Sequence, residues 1–89
     1  MTPDYRSAAG IVEDALSMVV DPGLVRTLRP DSPLSAAGLD AADAVCIADA
    51  VGIAAQRLGV GVELGDAELE QARCVDDLVR AVLASLEAQ

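Results

Sequence analysis

Gly38-Leu39-Asp40-Ala41-Ala42-Asp43, with the run from Ala44 to Leu58 behind it, decides how this chain folds. The Asp40 carboxylate is placed to accept from the free N–H groups of a helix's first turn. Asp43 follows three residues later, where the reciprocal partner of a capping box is found. Ile47, Val51, Ala54, Ala55 and Leu58 then recur at spacings of three and four, the pattern of one buried helical stripe. Gly59-Val60-Gly61 ends the run, because glycine admits the backbone conformation that closes a helix. The stretch predicts a helix capped by Asp40 and running to about Leu58.

Working outward, Thr2-Pro3-Asp4 predicts the start of an earlier helix, with Thr2 as cap, Pro3 at its first position and Asp4 at its positive end. Ala8, Ile11, Val12, Ala15, Met18 and Val19 form its apolar face. Asp21-Pro22-Gly23 stops it. Residues 20–40 make a long connection of a kind that is uncommon in small domains. Leu24, Val25, Leu28, Leu34 and Leu39 are available to pin it down, with a short helical turn from Leu24 to Leu28. Beyond Gly61, Asp66 to Gln71 predicts a short helix capped by Gly65 or Asp66. Val75, Leu78, Val79, Val82, Leu83 and Leu86 mark the last helix, with Asp76 and Asp77 at its positive end and Cys74 as a weak cap. The fold class is therefore all-α, a bundle of three main helices plus one short helix with a long first loop, forming one domain over residues 1–89.

Composition supports this class. Of 89 residues, 53% are hydrophobic, and Tyr5 is the one aromatic. The core must be aliphatic, and abundant Ala and Leu favour helix over sheet. The net charge of −9, from 15 acidic residues against 6 arginines, repels phosphate backbones, so no nucleic-acid partner is expected. It suits encounter with basic protein patches, or simply keeps the chain in solution. Without His, and with Cys46 and Cys74 in no metal spacing, no metal site is expected. Both cysteines are expected to be reduced, with Cys46 in the core. The absence of His and Lys, of a phosphate loop and of a carboxylate pair beside a nucleophile argues against an enzyme. No apolar run reaches the ~20 residues that span a membrane, and the N-terminus lacks a signal-peptide pattern. A cytoplasmic monomer is expected.

The turn at Gly38-x-Asp40 resembles the attachment site of the acyl carrier protein family, which reads Gly-x-Asp-Ser-Leu at the start of its second helix. Two further motifs carry the resemblance. Leu64-Gly65-Asp66-Ala67-Glu68-Leu69-Glu70 is similar to the family's Ile-Pro-Asp-Glu-x-x-Glu stretch, and Val75-Asp76-Asp77-Leu78-Val79 to its Val-x-Asp-Leu-Val signature. Asp31-Ser32-Pro33-Leu34 resembles the lead-in to the site. In that family the Ser hydroxyl is esterified with 4′-phosphopantetheine, whose thiol carries the acyl chain. Here Ala41 takes the Ser position, and a methyl group has no oxygen to phosphorylate. The resemblance thus implies the scaffold, with Gly38 and Asp40 kept, and no cofactor on the chain as written. The cofactor would be 4′-phosphopantetheine only if Ala41 replaces a native Ser.

Two other departures stand beside this one. Ala42 takes the family's Leu position, and the span from Ala41 to Leu64 is several residues longer than usual. The extra length admits a second register, Asp43-Ala44-Val45 for Asp-Ser-Leu. It gives up the match at Gly38, so Ala41 is preferred, and both registers put Ala where Ser is required. Ser32 and Ser35 precede the turn and lie in the loop, so neither is expected to be modified. Cys46 is five positions beyond Ala41, about 140° around the helix, and is no substitute tether. The resemblance implies docking to basic patches on biosynthetic enzymes such as ketosynthases or acyltransferases, in fatty-acid, polyketide or nonribosomal-type pathways. Asp43, Asp49, Glu68 and Glu70 are the candidate partner-binding carboxylates. Two readings compete with a naturally non-carrying protein: a genuine carrier whose Ser was replaced, and an unrelated helical scaffold or dimerisation module. An exposed apolar face along the second main helix would favour the last.

Overall fold

The computed structural model describes residues 4–39 and 43–88. They form helices α1 (Tyr5–Val19), α2 (Pro22–Val25), α3 (Ala44–Arg57), α4 (Asp66–Gln71) and α5 (Val75–Glu87), with a 3-10 turn at Leu34–Ala37 and no strand among the described residues. The all-α bundle of three long helices, a short α4 and a long first loop is thus the architecture found. The loop also holds α2 and the 3-10 turn.

The long helix α1 is the centre, packed against both α3 and α5. Its Ile11, Val12 and Leu16 meet Val51 and Ala54 of α3 and Leu78, Val79 and Val82 of α5 in one fully aliphatic core. Burying each Val, Leu or Ile contributes roughly 1.5–3 kcal/mol. The buried alanines Ala8, Ala15, Ala50, Ala54 and Ala55 are small enough for helix axes to approach closely. Leu16 joins the core where Met18 was expected, and Met18 is 39% exposed. At 100° per residue the buried arc runs from Ile11 to Leu16, and Met18 falls just outside it.

The first loop is held from both sides. Val25, Ala37 and Leu39 are buried, and Leu28 and Leu34 lie half-buried on the core. Its backbone also runs against the start of α5. Leu34 N–H donates to the Arg73 carbonyl at 2.9 Å, Val75 N–H to Ser32 at 3.1 Å and Asp76 N–H to Pro30 at 2.8 Å. Those bonds satisfy backbone groups that a long loop would otherwise leave to water.

The helix ends show where the periodicity stops. Asp4 caps α1, its carboxylate accepting from Ser7 N–H at 2.7 Å, while Thr2 and Pro3 lie outside the described residues. Gly59, at φ 76°, closes α3 with two bonds: Gly59 N–H to Gln56 at 3.0 Å and Val60 N–H to Ala55 at 3.1 Å. This is the Schellman arrangement, which needs glycine at the left-handed position. Leu58 therefore sits at the helix end and is 49% exposed, not part of the buried stripe as expected.

Candidate functional site

Gly38 ends the 3-10 turn at φ 76°, a conformation that costs an L-residue roughly 1–2 kcal/mol. Its N–H donates to Ser35 at 3.0 Å, and Leu39 N–H donates to Leu34 at 3.2 Å. Leu39 is buried and anchors the exit of the turn. Asp40, Ala41 and Ala42 lie outside the described residues. The regular helix then starts at Ala44 with Asp43 as its N-cap, a turn later than Asp40 was expected to cap it. Asp43 is in the helical region, φ −83° and ψ −7°, so the chain turns helically before the regular bonds of α3 begin.

Beside this turn lies an open cavity of about 420 Å³, lined by residues of the 3-10 turn, α3, α4 and α5. Leu34, Leu39, Ile47, Leu69 and Leu78 give it aliphatic walls, while Glu70 and Arg73 bring charge to it. Its volume falls within the range of ligand pockets, ~300–1,000 Å³.

The candidate carboxylates are dispersed. Asp43 is half-buried at the start of α3, Asp49 is exposed on its outer arc, and Glu68 and Glu70 are exposed on α4. Glu68 accepts from Gly65 N–H at 3.1 Å, so one expected partner-facing carboxylate also caps its own helix. The outer arc of α3 carries Val45 (67% exposed), Ile53 (48% exposed) and the exposed thiol of Cys46. The expectation of a core position for Cys46 is corrected here. Ile47, Ala50, Val51, Ala54 and Ala55 fill the inner arc, and Cys46 falls outside it.

The polar junction at the start of α5 goes beyond the expected acidic first turn and weak Cys74 cap. Cys74 is the N-cap, but the bonding comes from Asp77, whose carboxylate accepts from Arg73 N–H at 2.9 Å and Cys74 N–H at 3.3 Å. These backbone donors stabilise the anion and hold its pKa below the ordinary value. Asp76 accepts from the Tyr5 hydroxyl at 2.5 Å and pairs with Arg80 at 2.7 Å. The bond to Asp76 raises the pKa of Tyr5. The Cys74-x-x-Asp77 spacing of a capping box was the available signal. Nothing local announces a bond from Tyr5 to Asp76.

Among the described residues, no group of three or more His, Cys, Asp or Glu side chains is placed to hold a metal, and no helix is long and apolar enough to cross a membrane. No family model, curated protein or solved structure matches the chain.

Proposed function

We propose that this chain is an acyl-carrier-like protein that has lost its tether point, and acts without catalysis by docking to thioester-handling enzymes. The observation that carries the reading is the aliphatic cavity opening beside the Gly38 turn and the first turn of α3, where the resemblance puts the attachment site. The long loop fastened to α5 and the short α4 ahead of it agree with that reading. The acidic balance suits basic patches on ketosynthases or acyltransferases, with Asp49 and Glu70 exposed to meet them.

Helix geometry bears on the register. The family's Ser opens its second helix; here the described α3 begins at Ala44 behind Asp43, and Ala41 lies outside the described residues. The left-handed Gly38 favours Ala41. Neither alanine offers a hydroxyl. Incubating Ala41→Ser and Ala44→Ser variants with a phosphopantetheinyl transferase and coenzyme A tests the reading. Loading at either position supports it and fixes the register, with Ala41→Ser expected. Failure of both favours the unrelated scaffold.

A second reading has its own observation. Val45 and Ile53 stand exposed on α3, which favours a helical scaffold or dimerisation module. Failed loading, together with a dimer abolished by Ile53→Asp, would establish that alternative.

A further inference from the structure

A second cavity lies on the other side of the first turn of α5. Leu78 lines the larger cavity, whereas Val75 and Val79 line a cleft of about 170 Å³ between α1, α2 and α5. Its floor is made by fully buried apolar side chains, Val12, Leu16 and Val79. Tyr5, the one aromatic residue of the chain, forms part of its wall, and Arg26 and Arg29 stand at it from the loop that follows α2. In an acidic protein this is an unusual concentration of positive charge. Two of six arginines meet at one cleft, with Glu13 the only carboxylate among its lining residues.

Those two guanidiniums are not committed elsewhere. Among the described residues the ion pair formed is Arg80 with Asp76, and Arg26 and Arg29 form none. The nearby carboxylates are partly occupied. Asp21 accepts from Gly23 N–H at 2.8 Å, and Asp76 holds both Tyr5 and Arg80. Asp31 is exposed two residues beyond Arg29, where solvent screens it. An aliphatic lining together with two exposed arginines matches a molecule with an apolar body and an anionic end, since guanidinium recognises carboxylate in a planar, two-bonded geometry.

We propose that this cleft binds a small organic carboxylate with a short aliphatic body, held by Arg26 and Arg29. Size sets the class. The volume is about six liquid-water shares at roughly 30 Å³ each, below the ~300–1,000 Å³ of pockets for drug-sized molecules. The volume matches a short chain. The site is separate from the Gly38 turn and stands whether or not the carrier reading holds.

The test is a titration of the isotopically labelled protein, followed by backbone amide NMR, with sodium hexanoate, its neutral counterpart hexan-1-ol and sodium dodecanoate. Hexanoate is expected to bind saturably in the millimolar range, typical of so small a ligand. The shifts should centre on Ala9, Val12, Val25 to Arg29 and Val79. Hexan-1-ol should bind about tenfold more weakly, and the double variant R26A/R29A should lose hexanoate affinity about tenfold while R57A keeps it. Equal binding of hexanoate and hexan-1-ol would overturn the proposal. So would an unchanged affinity in R26A/R29A, shifts centred on Leu39, Ile47 and Leu69, absence of saturable binding, or a preference of this cleft for dodecanoate. If R26A/R29A loses its fold, the comparison of hexanoate with hexan-1-ol on the unaltered chain still decides.

Discussion

Helices α3 and α5 are nearly equal in length, 14 and 13 residues, and both lie on α1. They differ in how they are fastened and in what they leave outside. The start of α5 is tied down by the Asp77 carboxylate, the loop backbone from Pro30 to Leu34, and the Tyr5–Asp76–Arg80 junction. Helix α3 buries Ile47, Val51, Ala54 and Ala55 and exposes Val45 and Ile53 on its other side. The contrast separates two tasks within one small bundle. The start of α5 carries the polar fastening, while α3 packs on α1 and leaves apolar groups beside acidic ones on its outer side.

The contrast can be broken most sharply in the core. Leu78→Ala, at a site 1% exposed on the wall of the larger cavity, should lower unfolding free energy by about 2–5 kcal/mol in denaturant titrations. A smaller loss would mean that Leu78 does not anchor α5 in the core. Asp77→Asn should have an intermediate effect with a pH signature. Because the folded-state pKa of Asp77 is lowered, its contribution is full above the ordinary Asp value of about 3.9. It is lost as pH falls through the lowered value. Melting temperature measured across that window should therefore fall more steeply for the unaltered chain than for Asp77→Asn. Parallel curves would remove Asp77 from the fastening. The smallest effect belongs to α3: Ile53→Asp should leave stability within about 0.5 kcal/mol, and a larger loss would show that its outer arc is covered.

The same contrast explains what could be read from the sequence. The bounds of α4 and the stripe of α5 were legible because Gly65, Asp66 and the spacing of Leu78, Val79, Val82 and Leu86 are local signals. Leu16 against Met18, and Cys46, were misplaced because periodicity finds the centre of an arc and not its edges. Leu58 failed for a different reason, since it lies in the closing turn set by Gly59. The expected cap at Asp40 lies outside the described residues, and Asp43 is the N-cap of the described helix. Of the candidate site, the turn at Gly38 was legible from the resemblance of Gly38-x-Asp40 to the family motif. The cavity beside it was not, since its walls come from residues as far apart in sequence as Leu34 and Leu78. The contact between Tyr5 and Asp76 spans 71 positions, beyond any local pattern.

One mass measurement tests the central claim directly. The unaltered chain, incubated with a phosphopantetheinyl transferase and coenzyme A beside a functional carrier as positive control, should emerge at its own unmodified mass. A stable pantetheinylated form of the unaltered chain would contradict the account, because neither Ala41 nor Ala44 has an oxygen to receive the group.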